Sequence, residues 1–380
     1  MGAFSPVVVN LQFVLSVGLT LVVGALVLGL IVPRSIAITI MTIKLLLVVL
    51  YFVYFADGSW FYGGDDSGFF ERGLKLYETG RNPITIWTHG EAYHLKIANP
   101  SLSLIYFHNY LSLWLFGPYY HSPILLNLIL SNITVLFLAR ILAEVYRERR
   151  ISTFFVTFAS LHWTTLVWHS FLNLKEPFVA LLLSGLVYLI LILRRRKVLA
   201  SMALVSFVLL SQRIRFYLPV FVFGGILFAQ IQPLVRAALR KPLWVGAATM
   251  LFLITVGVFA QSEVRLFIKL ADLPGFPYEV IHFVLQPAPW KITEPAGYLQ
   301  LPSILHWIMF VPALIGGYAL WQKGFGGRVV VGTVVAGIAF YGLIDVIAST
   351  RHRMPLDMLV IVLHYAFLKE FVFPKTKVAN

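Results

Sequence analysis

The feature that most constrains this chain is the stretch from Val7 to Val32, which holds no charged side chain. In lipid, every backbone N–H and C=O must be paired within its own segment, so a run of this length has one stable form, an α-helix crossing the bilayer. The pattern recurs at Ile36–Ala56, Pro123–Ala143, Ile151–Leu172, Pro177–Leu193, Val198–Ser211, Phe216–Ile231, Leu243–Ala260, Ser303–Trp321, Val329–Ala348 and Pro355–Phe373. Hydrophobic residues make up 59% of the 380 residues and charged ones 12%, with a mean hydropathy of +0.85, which is more apolar surface than a soluble core can bury. The expected fold is all-α, a polytopic transmembrane bundle of about 11 spans. Residues 1–380 then form a single transmembrane domain, interrupted by a long loop at 57–122 and a second at 261–302. Two runs, Val198–Ser211 and Phe216–Ile231, fall short of the roughly 20 residues a crossing needs. Extension through Gln212-Arg213-Ile214-Arg215, or local thinning of the bilayer, would accommodate them. Met1–Pro6 carries no positive charge and the run behind it is long for a signal peptide, so the first span is expected to be retained.

A net charge of +14 would suit nucleic acid, but its placement argues otherwise. Arg147, Arg149 and Arg150, then Arg194 to Lys197, then Arg236, Arg240 and Lys241, and finally Lys375 and Lys377 all sit in short gaps between apolar runs. That is the positive-inside pattern, so no nucleic-acid partner is expected. Cysteine is absent, which excludes disulfides, thiolate catalysis and cysteine-bound zinc.

With the basic gaps in the cytoplasm, the opposite face receives Asp57–Asn99, Asn173–Glu176, Gln212–Arg215, Gln261–Pro302 and Thr350–Arg353. Ser101–Phe116 is apolar but short. Counting it as a span would invert every later basic loop, so it is expected to lie flat in the outer interface, where its Trp and Tyr residues fit.

That outer face collects the noteworthy polar chemistry. Asp65 and Asp66 follow a span within Gly-Gly-Asp-Asp-Ser-Gly, as candidates for a general base at the membrane boundary or as a solvated turn. Arg213 with Arg215, and Arg351 with Arg353, can each grip a phosphate or anchor to lipid headgroups. Asp345 and Asp357 lie within reach of the second pair and could neutralise it. Lys175-Glu176-Pro177 sits between two runs with almost no loop, suiting either a cavity-facing pair or a mutually neutralising cap. His89, His94 and Glu91 belong to the first loop, and Trp290 in Gln-Pro-Ala-Pro-Trp to the second, where it can stack on a sugar or anchor in the interface. His162 and His169, seven residues apart, would share one side of a continuous helix. No metal spacing, P-loop or GxGxxG is present, and a divalent ion on the first-loop Asp and His residues stays open.

The order of these features resembles the C-type polyprenyl-phosphate-dependent membrane glycosyltransferases, a superfamily that includes protein O-mannosyltransferases and aminoarabinose transferases. The matching segments are Asp65-Asp66 after a span, Leu115-Phe116-Gly117 closing the flat helix, Arg147-Glu148-Arg149-Arg150 as the basic turn, and Glu176-Pro177 as the second acid. Arg351-His352-Arg353-Met354-Pro355 is similar to an Arg-x-Arg-x-Pro segment of bacterial members, and Pro287-Ala288-Pro289-Trp290 to a Pro-x-Pro-Trp segment of polysaccharide-related ones. Residues 36–180 carry the likeness best. The departures are an extra first span, Asp in place of Glu as second loop acid, and no soluble C-terminal domain.

The resemblance implies transfer of a sugar from a polyprenyl-phosphate donor to a glycan, lipid or protein acceptor, on the extracytoplasmic face of a prokaryotic plasma membrane. Asp65 would be the base with Asp66 beside it, and Arg213, Arg215, Arg351, Arg353 and Lys175 would hold the donor phosphate. Glu176, His89, His94 and Trp290 would meet acceptor or sugar, with membrane lipids as the remaining partners. A ligase or polymerase of lipid-linked glycans, and a flippase of lipid-linked sugars, are the alternatives.

Overall fold

The computed structural model describes residues 11–54, 65–87, 102–148, 152–193, 195–212, 214–215, 217–240, 274–292, 299–343 and 350–373. The run Leu243–Ala260 and the residues Arg213, His89, Glu91, His94 and Asp345 lie outside them, as do the side chains of Asp65, Asp66 and Arg351. All regular structure among the described residues is helical.

The elements are α1 (Leu11–Gly29), α2 (Arg34–Tyr54), α3 (Asp65–Tyr77), α4 (Ser103–Phe116), α5 (His121–Tyr146), α6 (Thr153–Leu161) and α7 (Trp163–Ser170). They continue with α8 (Glu176–Ile192), α9 (Lys197–Gln212), α10 (Leu218–Arg240), α11 (Phe276–Leu285), α12 (Gln300–Trp321), α13 (Phe325–Leu343) and α14 (Thr350–Phe367). Five of these, α1, α2, α5, α12 and α13, are long and apolar enough to cross a membrane, which makes this a helical membrane protein. Against the expected count of about 11 crossings, the described residues hold five full-length apolar helices, with α8, α9, the first part of α10 and α11 as shorter apolar ones.

Three local expectations change. Ile151–Leu172 is not one helix. His162 takes an extended conformation (ψ 139°) and its ring accepts the Thr164 N–H, so it caps α7 and ends α6. The carbonyl that the break would orphan, that of Ala159, is taken by the Thr165 hydroxyl at 2.7 Å. Polar side chains of this kind offer the backbone an alternative partner, which is why the run divides here. His162 and His169 consequently do not share one helix face, and His162 instead meets His364 of α14 at 3.1 Å. The second is at the α9–α10 junction, where the extension weighed through Gln212-Arg213-Ile214-Arg215 is not made: α9 ends at Gln212, α10 starts at Leu218, and Ile214 lies in a turn. Third, the acidic motif opens a helix: α3 starts at Asp65, with both acids in the first turn where a helix N-terminus favours negative charge.

Packing divides into two layers of contact around α5 and α8. On one side α1 packs on α2 and on α5, α2 reaches α6 and α7, and α3 lies on α4. On the other, α10 packs along α13, α12 along α14, and α8 bridges to α14 and α5. Fully buried Lys44 of α2 donates to Ser131 Oγ (2.7 Å) and Asn132 Oδ1 (2.8 Å), pinning α2 to α5 through polar contacts inside an apolar interface. At the turn after α4, the Phe116 carbonyl accepts from Gln12 and Ser16 of α1 (3.3 and 3.1 Å), and Gly117 takes φ 93° with its Cα facing Gln12.

The two ends of the bundle differ chemically. One gathers compensated charge: Lys369–Glu148 (2.6 Å), Lys323–Glu370 (2.9 Å) and Arg195–Glu144 (3.1 Å), with Lys369 and Lys323 against the Tyr146 ring. The other holds the starts of α8, α12 and α14 and the α9–α10 turn, and it is where the candidate residues meet.

Gly316 sets the closest approach of α12 to α14, because a Cβ there would fall on the Leu363 carbonyl, which belongs to backbone and cannot swing away. Helix propensity alone would reward Gly→Ala by about 1 kcal/mol. Overpacking costs about 1–3 kcal/mol, so the clash decides the sign. Gly316→Ala is expected to lower the thermal unfolding temperature in detergent, whereas Gly68→Ala, at an exposed α3 position with nothing within 4 Å, leaves it unchanged or raises it.

Candidate functional site

Glu176 is the first residue of α8, with Pro177 next to it supplying the fixed φ of an opening turn. It is 1% exposed, so its carboxylate needs a partner. Arg215, from the α9–α10 turn, provides one: its Nη2 lies 3.7 Å from Glu176 Oε1, and its guanidinium sits 5.8 Å from the centre of the Tyr217 ring. Tyr217 in turn accepts a 2.8 Å hydrogen bond from the Tyr341 hydroxyl at the end of α13. The Tyr341 ring stacks on Phe283 of α11 with centroids 4.9 Å apart.

Beyond Phe283 stands Arg353 of α14. Its Nε pairs with Asp357 Oδ2 at 3.1 Å, and its Nη1 donates to the carbonyls of Phe283 (3.1 Å), Val284 (2.6 Å) and Gln286. Those are the last carbonyls of α11, which a cation satisfies both as donor and as counter-charge to the helix dipole. His306 of α12 takes the Val284 carbonyl as well, at 2.8 Å. A continuous chain of contacts thus joins Glu176 to His306 across five helices and the α9–α10 turn.

The acidic helix reaches the same cluster from the other side. Gly73 of α3 lies directly against Asn109 of α4, and Asn109 Oδ1 accepts from Asn173 at 2.7 Å, three residues before Glu176.

A cavity of about 450 Å³ opens beside this end. Its walls come from α10, α12, α13 and α14 and are apolar, for example Phe228, Phe310, Val334, Ile338 and Leu356. Arg353, Asp357 and His306 line it too, and from them the α12 lining runs on to Trp321 and Gln322. Leu314, Tyr318 and Val335, which line it, are 59%, 67% and 43% exposed, so it opens through the side of the bundle.

Of the residues singled out by sequence, Glu176, Arg215 and Arg353 belong to the connected cluster, and Lys175 adjoins it as the residue before α8. The backbone of Asp65 and Asp66 opens α3, and Arg351 stands in the first turn of α14. Trp290 lies in a short 3-10 turn after α11, outside the cluster. Arg353 carries a structural burden that its pairing with Arg351 did not suggest: Nε and Nη1 are committed to protein acceptors, and only Nη2 makes no hydrogen bond among the described residues. The neutralising role weighed for Asp357 is what the 3.1 Å contact shows. Tyr217, Tyr341, Asn109, Asn173 and His306 escaped sequence reading. Lys44 did as well, although a charge in the middle of an apolar helix, ten residues past the Arg34 that opens it, was a legible signal. Among the described residues no group of three or more His, Asp or Glu side chains is placed to hold a metal ion.

Glu176 and Arg215 compensate each other, so removing one partner weakens the pairing of a buried charge. Arg215→Ala is expected to destabilise the protein, and Glu176→Gln in the same chain to restore part of the loss. A double-mutant cycle read by thermal unfolding should give a coupling of about 1–3 kcal/mol, below that of a fully buried pair because Arg215 keeps some solvent contact; additive single effects would show no coupling.

No family model, no curated protein and no solved structure matches this chain.

Proposed function

We propose that this protein is a membrane glycosyltransferase that moves a sugar from a polyprenyl-phosphate donor to an acceptor at the membrane–water interface. The observation that carries this reading is the side-opening apolar cavity lined also by Arg353, Asp357 and His306, with Arg353 linked through Phe283, Tyr341 and Tyr217 to the buried Glu176–Arg215 pair. A long hydrocarbon suits such walls, and an anionic head suits the cationic groups beside them. Arg215, the Nη2 of Arg353 and, from their positions in the chain, Arg213, Arg351 and Lys175 would share the phosphate. The crossing pattern of about eleven spans, with α4 in the interface and the site on the extracytoplasmic face of a prokaryotic plasma membrane, belongs to the same proposal.

In the reaction, Asp65 takes the proton of the acceptor hydroxyl while its oxygen attacks the anomeric carbon. The bond from that carbon to the phosphate oxygen breaks, and polyprenyl phosphate leaves with the electron pair, its charge met by the arginines. A single displacement of this kind inverts the anomeric centre. Asp66 tunes its neighbour, and Glu176 faces the sugar or acceptor.

One observation favours a flippase of lipid-linked sugars instead. The break between α6 and α7 at His162 is a discontinuous helix carrying a buried histidine pair, as transporters often have at their substrate sites. Turnover separates the two readings.

With donor supplied, Asp65→Asn is expected to lower transfer by about 10²–10⁴-fold with folding intact. Near-normal transfer in both Asp65→Asn and Asp66→Asn proteins, or lipid translocation without sugar transfer, would overturn the glycosyltransferase reading. Sidedness is checked separately. The native chain lacks cysteine, so Ile84→Cys, at an 82% exposed position, and Lys197→Cys should label from opposite sides of sealed vesicles.

A further inference from the structure

A second hollow, of about 390 Å³, lies between α11 and the start of α12. Its walls are aromatic. Trp290 and Trp307 meet with centroids 5.0 Å apart and planes at 65°, forming a corner, and Tyr278 stands across from them, stacked on His282. The Trp307 indole N–H donates to the Leu285 carbonyl at 2.7 Å, which locks that ring in place. Trp290 and Tyr278 are 70% and 66% exposed, with one face of Tyr278 covered by His282. His282, Gln286 and Lys291 supply polar lining: Gln286 hydrogen-bonds the His282 ring, which Glu279, outside the lining, approaches at 3.8 Å.

We propose that this hollow is a carbohydrate-binding site. A pyranose ring presents C–H groups on its face and hydroxyls around its rim. It therefore needs a rigid aromatic plane beside amide, imidazole or carboxylate partners, and both are present here. An aromatic that merely anchors a protein in the interface has no need of a second, hydrogen-bond-locked ring set at an angle to it, nor of a hollow between them. The volume falls in the range of about 300–1,000 Å³ typical of small-ligand sites, enough for a short glycan segment. The site also communicates with the candidate centre. The Gln286 side chain belongs to the hollow, while its carbonyl accepts from Arg353. As the place where the acceptor glycan docks, the assignment rests on the glycosyltransferase reading; as a carbohydrate site it does not.

The test needs neither donor nor turnover. Saturation-transfer NMR on detergent-purified full-length protein would screen neutral, amino-sugar and uronic trisaccharides. At least one is expected to receive saturation, with Trp290→Ala weakening its binding about tenfold or more and Trp290→Phe retaining part of it. Binding is read without turnover, so a failure of the catalytic assignment leaves this result untouched. Absence of any signal across the panel overturns the proposal. So does equal binding by Trp290→Ala, or an effect of Trp290→Ala confined to lipid-dependent stability, the mark of an interfacial anchor.

Discussion

Much of one end of this bundle hangs on one buried guanidinium. Arg353 is 5% exposed, and it caps α11 from α14 while Asp357 balances its charge one turn away. Each carbonyl left unpaired in such a place would cost about 1–3 kcal/mol, and an unpaired guanidinium more, so three carbonyls, one carboxylate and one cation stabilise one another only as a set. With α11 held, Phe283 is fixed against Tyr341, Tyr341 against Tyr217, and the turn bearing Arg215 against Glu176. His306 brings α12 into the same arrangement through the Val284 carbonyl.

How far the sequence reveals this depends on the kind of interaction. Long apolar helices are legible because lipid leaves the backbone no alternative: α1, α2, α5, α12 and α13 all fall on runs recognised from hydropathy. Local polar competition is harder to read. The division at His162 comes from a ring capping an N–H and a threonine reaching back to Ala159, and neither is visible as a change in hydropathy. Long-range partnerships are the least legible. Nothing in the residues around Asn173 points to Asn109, and nothing near Tyr341 points to Tyr217, because these pairs depend on how helices distant in sequence are placed. Residue type also fails to tell an arginine that builds a site from one that serves it, as Arg353 illustrates.

The charges at the opposite end follow a different logic. There, lysines and an arginine meet glutamates near the surface, and two of the lysines also lie over Tyr146. Such pairs contribute little to stability when exposed. The protein thus separates its charges by role, with compensated, half-exposed pairs at one end and buried, interlocked ones at the other.

The side opening flanked by Leu314, Tyr318 and Val335 has a consequence for how this protein must be measured. A molecule entering there arrives by diffusing within the bilayer plane, so its effective concentration is a mole fraction among lipids and not an amount per volume of buffer. Diluting the sample leaves that quantity unchanged, whereas adding detergent lowers it and places a competing alkyl chain at the same doorway. Apparent affinities taken in micelles and in vesicles would then differ through the solvent alone, with the protein unaltered.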